Sequence, residues 1–184
     1  LSNNIGNFIN RVMKFSAKNW PEGLSSKSFE AFFSEDEHLQ QVRDFSSRFH
    51  QAVDQFQIKQ GQEIIMSLGS KINQFITERA PWSEFKVNPD KAQETIAIST
   101  CYVFILGVYF HPYLPHLSSS ILSYFGGERG VDDQVIQQIY LGNFDVMRDF
   151  FSHGFKMKVE PQGLVPKIDS KVIEDLESQL TSGN

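Results

Sequence analysis

Apolar residues recur every three or four positions through most of the chain, the spacing of one face of an α-helix. Ile5, Phe8, Ile9, Val12 and Phe15 form the first such stripe, within residues 1–18. Trp20-Pro21-Glu22-Gly23 interrupts it, and SSKSFEAFF (25–33) reads as a loop with some local packing. Ser34 and Glu37 have the spacing of a capping box ahead of Leu39, Val42, Phe45, Phe49, Val53 and Phe56, which predicts a helix of about six turns. His38 and His50 stand alone on that helix and read as solvated or rim residues. After Gln60-Gly61, the series Ile64, Ile65, Leu68, Ile72, Phe75 and Ile76 predicts a further helix. So short a connection makes the two an antiparallel hairpin.

Proline disfavours helical geometry in the residue before it, so Ala80 is the expected end of that helix and Trp82 falls in a linker. Asn88, Pro89 and Asp90 then supply an N-cap, a first-position proline and an acid at the positive end of the helix dipole. The helix they open is nearly all apolar from Ile96 to Phe110 and should run through the centre of a bundle. Two prolines, Pro112 and Pro115, precede a short helix ending at Gly126-Gly127. Residues 128–160 are the least regular: an acidic turn, an apolar mixture from Ile139 to Phe155, and a strand-like Lys156-Met157-Lys158. Asp169 caps a last predicted helix whose Val172, Ile173, Leu176 and Leu180 face the body. With no internal repeat and no clear linker, the expectation is one all-α unit over 1–184, a helical bundle of about five to seven helices.

Composition changes this picture little. Its 184 residues suffice for one domain with a substantial core. One cysteine, Cys101, excludes an intramolecular disulfide and any multi-cysteine zinc site, which favours a cytoplasmic protein. The apolar run from Cys101 to Phe110 is too short to span a bilayer, and no secretory pattern opens the chain, so no membrane partner is expected. The chain starts with Leu1 inside a helical pattern, as a piece of a longer protein would.

Charge matters more. The net charge of −5 argues against a nonspecific polyanion binder, but its distribution is uneven. Residues 1–20 hold Arg11, Lys14 and Lys18 and no acid, whereas 30–54 hold six acids against Arg43 and Arg48. Any anion-binding face is therefore local.

Catalytic signatures are missing: no phosphate-binding loop, dinucleotide fingerprint, H-E-x-x-H or G-x-S-x-G is present, so no catalytic residue is assigned. Cys101 lies in an apolar run where burial would leave it inert. His111 and His116 lack a third ligand at useful spacing, and no metal site is assigned. A binding or structural module is the better reading.

Two features could carry binding. A linker tryptophan at 82 is either a core plug or an exposed stacking platform. Asn3, Asn7 and Arg11, spaced by four, line one face of the first helix, although asparagine is a mediocre helix former. That row is either a capped, polar outer face or a set of amide and guanidinium groups presented to nucleobase edges.

Three segments resemble the C-terminal anticodon-binding domain of methionyl-tRNA synthetases. NNIGNFINR (3–11) is similar to the N-x-L-G-N-x-x-x-R opening of that domain's first helix, and ERAPWSEFK (78–86) to its A-P-W loop. HPYLPHLSSSI and GLVPKIDSKVI resemble its P-x-[ML]-P-x-x-S and P-L-F-P-[KR]-I-D segments. Together they span nearly the whole chain in the family's order.

The resemblance implies a helical bundle of the class Ia synthetase type that reads the CAU anticodon of tRNA(Met). It places methionine activation with ATP, and a zinc knuckle, in a preceding catalytic domain that this chain lacks; that domain is the other implied partner. Trp82 matches the tryptophan on which an anticodon base stacks, Pro81 shapes that platform, and Asn3 matches an asparagine that bonds a base edge. Asn7 stands where some bacterial members have arginine, which trades a cationic contact for a neutral amide. Arg11, Lys14, Lys71, Arg79 and Lys86 lie in the two converging segments and are candidate phosphate contacts. The segment 161–184 is expected to fold back on the bundle. The alternatives are a helical protein-interaction scaffold, or the anticodon domain of another class I synthetase.

Overall fold

A computed structural model describes residues 5–34, 36–126 and 131–160. The described residues form nine helical segments and no strand. They are α1 (Asn7–Asn19), α2 (Ser26–Ser34), α3 (Asp36–Asp54), α4 (Ile58–Arg79), α5 (Pro81–Glu84), α6 (Pro89–Phe110), α7 (Pro115–Gly126), α8 (Asp133–Tyr140) and α9 (Asp145–Phe151). The all-α bundle is borne out. It has more pieces than the periodicity indicates because α2, α5, α8 and α9 are each under ten residues, too short for a repeating stripe.

Helix α6 is the axis. It starts as read, with Asn88 Oδ1 accepting from the Lys91 backbone N–H at 3.1 Å and Pro89 in the first turn. Every residue from Thr95 to Phe110 is buried, and α1, α2, α4, α5, α7 and α8 all pack on it. Its length and apolar character would suit a membrane span, but 89% of the relevant window is buried inside the bundle, as befits a core helix. Ser99 and Thr100 satisfy their buried hydroxyls by donating back to the carbonyls of Thr95 and Ile96, both at 2.8 Å. Cys101 is fully buried, and burial pushes its thiol well above the usual range, so it is inert as expected.

Helices α3 and α4 form the predicted antiparallel hairpin. The connection departs from the apolar pattern at Phe56, which is 87% exposed with φ +57°. The Gln57 N–H donates to Ala52 O and the Phe56 N–H to Val53 O, a Schellman closure that puts Phe56 in the left-handed position usually given to glycine. The stripe thus ends at Val53, and the next apolar residue is spent on the turn.

Three further readings are corrected. SSKSFEAFF is not a loop: α2 occupies most of it, burying Phe29, Phe32 and Phe33 against α6 and α9. Of the α3 histidines, His50 is a rim residue as read, but His38 is buried. His38 is 6% exposed, stacks on Phe32 and has Nδ1 2.9 Å from the Tyr102 hydroxyl; His50 Nε2–H donates to the Tyr140 carbonyl at 2.6 Å. Near Lys156, an isolated antiparallel bridge joins Leu24 and Phe155, tying the segment after α9 to the start of α2. The proposed last helix and the fold-back of 161–184 lie outside the described residues.

Candidate nucleic-acid interface

Trp82 is held by a turn with few degrees of freedom. Helix α4 ends at Ala80, whose backbone is left-handed at φ +39°, and its N–H donates to Ile76 O at 3.0 Å. An L-alanine in this region costs about 1–2 kcal/mol, so the surrounding packing imposes the turn. Pro81 follows at the first position of α5 with its ring buried, and the Phe85 N–H closes the turn onto Pro81 O at 2.8 Å. Phe85 then meets Phe15 and Trp20 edge-on, at 5.9 and 5.2 Å between centroids. This aromatic clamp fastens the end of α1 to the α5 turn.

The clamp brings α1 alongside Trp82. Asn7, Asn10, Arg11, Lys14, Phe15 and Lys18 from α1, Asn73 from α4, and Trp82 line one groove of about 700 Å³. Trp82 is half-buried: part of the indole packs against the core while the rest faces the groove. The Arg11 guanidinium lies over the indole, 4.1 Å from the ring centroid. Among the described residues no acidic side chain lines the groove, and Arg11, Lys14 and Lys18 give it a positive field. Asn10 Oδ1 is buried without a hydrogen-bond donor.

Of the residues singled out from sequence, Asn7, Arg11, Lys14 and Trp82 thus share one groove with Pro81 beneath it. Asn3 lies outside the described residues. Lys71 instead lines a groove between α3 and α4, as does Phe75, over whose ring the Arg79 guanidinium sits at 5.5 Å. Lys86 is exposed beyond the α5 turn and is not part of the Trp82 groove. Asn10 and Asn73 were not anticipated, and Lys18 only as part of the basic N-terminal stretch. Asn10 and Lys18 follow from continuing the polar face of α1 at spacings of three and four, while Asn73 required knowing which side of α4 meets α1.

A larger concavity of about 810 Å³ separates α3 from α4. Glu37, Asp44 and Glu78 outnumber Arg48 and Lys71 around it, so it offers no attraction to an anion. Among the described residues no cluster of three His, Cys, Asp or Glu side chains gathers at metal-binding distance.

The groove pairs a half-exposed indole with amides and cations on one helix face. Aromatic faces, amide edges and positive charge are what recognition of unstacked RNA bases requires. Residues 20–182 match the family described as the anticodon binding domain of methionyl tRNA ligase.

The chain belongs to that family.

Among curated relatives, methionine–tRNA ligases of Chlorobium phaeobacteroides and Methanosphaera stadtmanae are 25% and 23% identical over 186 residues, covering 96% and 99% of this chain. The methionine–tRNA ligase of Sulfolobus acidocaldarius is 28% identical over 128 residues, or 68% of the chain. The chain spans about a quarter of these relatives' length: 26%, 27% and 22% respectively. As an anticodon-binding domain of this family, it has Trp82 of α5 and the Ala-Pro turn inside the matched range, whereas the first-helix residues Asn7 and Arg11 precede residue 20.

Proposed function

We propose that this domain binds the anticodon loop of tRNA(Met) and reads its CAU triplet, with an anticodon base stacked on Trp82. The observation that carries the reading is the position of the Trp82 indole, half-buried in a groove that it shares with Asn7, Asn10 and Asn73 and that no acidic side chain lines among the described residues. A tryptophan meant only as a plug would not need a groove lined by amides and three cations. Asn7, and Asn3 four residues earlier in the sequence, are the amides that would meet a base edge. Pro81 fixes the indole's height, and Lys14 and Lys18 hold the phosphates without reading sequence. Arg79 and Lys86, displaced from the groove, would meet only more distant phosphates.

In this reading residues 1–184 act as one binding unit of a longer cytoplasmic methionine–tRNA ligase. ATP, zinc and aminoacylation belong to a catalytic domain outside the chain. No membrane is involved.

Binding of the chain to anticodon stem-loops at one stated salt concentration tests the specificity, because affinities at unstated salt are not comparable. The CAU loop should bind at least about tenfold tighter than loops altered at the first anticodon base, the size of one good base contact. Equal affinity for all loops would reduce the groove to a nonspecific RNA site, and no binding at all would favour a protein-interaction scaffold.

A further inference from the structure

In this structure the open side of the Trp82 indole is taken by Arg11. Part of the ring packs on the core, the guanidinium lies 4.1 Å from its centroid, and both side chains line the same groove. A guanidinium is planar and delocalised, so it covers an indole much as a base does. Among the described residues Arg11 makes no ion pair that would fasten it there. Its hold is a solvent-exposed cation–π contact, the weaker end of that class, and base stacking exceeds it.

Resting on the base-stacking reading above, we infer that Arg11 is the internal stand-in for the nucleobase: it occupies the stacking face of Trp82 in the free protein, and the incoming base displaces it onto that nucleotide's phosphate. Arg11 is thus a positioning residue. It keeps the indole face dry and oriented until RNA arrives, then supplies a charge next to the stacked base. Lys14 and Lys18 continue the same face of α1 at spacings of three and four, so the released guanidinium joins a cationic row already in place. A lysine at 11 would keep the charge but not the planar cover.

The test uses the whole chain with Trp20→Phe, leaving Trp82 as the sole tryptophan. In the free protein the Arg11 δ-methylene and Nε–H nuclear magnetic resonance signals should lie upfield, shifted by the indole ring current. Arg11→Lys should raise acrylamide quenching of Trp82 at least about twofold, as an uncovered ring would show. On adding a CAU stem-loop, the Arg11 signals should return to ordinary values in step with the change in Trp82 fluorescence. If Trp82 fluorescence titrates but the Arg11 signals stay upfield, Arg11 backs the ring instead of covering it and the inference is wrong. If neither responds, the stacking reading fails and the inference falls with it.

Discussion

Gly69 on α4 faces Ile5, just ahead of α1, so closely that a Cβ at position 69 would stand 2.5 Å from the Ile5 Cγ1 and Cδ1 atoms. Ile5 is fully buried, so the glycine lets the residue just ahead of α1 seat directly on α4. Gly69→Ala should lower stability by about 1–2 kcal/mol in chemical denaturation, overpacking outweighing the gain in helix propensity. Gly61 supplies the contrast. A Cβ there meets the Tyr113 hydroxyl, which is buried without a hydrogen-bond partner at the end of a half-exposed side chain. Gly61→Ala should be neutral or stabilising by up to about 1 kcal/mol, because the phenol can swing out to water while the helix gains.

Stability should fall at high pH. Burial pushes the Tyr109 phenol up to about 12 and raises Tyr102 and Cys101 as well. In the unfolded chain tyrosines ionise near pH 10 and cysteine near 8.5, so above those values the unfolded state has lost protons that the folded state keeps. The stabilisation is therefore complete below about pH 8.5 and declines as pH rises towards 12, by about 1.4 kcal/mol per pH unit for each fully engaged group. Urea melts from pH 8 to 11 check this, and Tyr109→Phe should flatten the upper part of the slope. That variant also loses a hydroxyl that donates to Ser46 Oγ at 2.7 Å, so its stability at pH 7 should drop by about 1 kcal/mol.

Lys14 and Lys18 are predicted to act on affinity and not on discrimination. Lys14→Gln should weaken binding to all stem-loops alike and reduce the slope of log affinity against log salt by about 0.7, the value for one contact to a single strand. A variant that changes the ranking of anticodons while leaving that slope intact would instead place Lys14 on a base edge.

The long elements were legible in the sequence because each buries one continuous stripe: α6 starts at its predicted cap, while α3 and α4 follow their stripes but not their predicted starts, since Ser34 ends α2 and α4 begins at Ile58, ahead of Gln60-Gly61. Other features depend on partners distant in the chain. Phe29, Phe32 and Phe33 already had helical spacing, but only packing on α6 and α9 turns nine residues into α2. His38 looked polar and exposed because the Tyr102 hydroxyl that satisfies it lies 64 residues away. At the groove, Trp82 and Asn7 were found from local motifs, while the Arg11–Trp82 stack needed the turn at Ala80 to bring α1 and α5 together. Lys71 and Arg79 show the reverse limit. They are close to Trp82 in sequence, yet Lys71 and the ring beneath Arg79 line the groove between α3 and α4.

The central claim is that Trp82 is a platform for a base and not a plug. Fluorescence-independent titration of Trp82→Ala with a CAU anticodon stem-loop, at fixed salt and beside a helical circular dichroism melt, tests it most directly. Loss of a stacked base costs about 1–3 kcal/mol, so affinity should drop at least about tenfold with the helical signal intact. Unchanged affinity in a folded variant, or a melting temperature that collapses with no RNA bound by the parent chain, would contradict it.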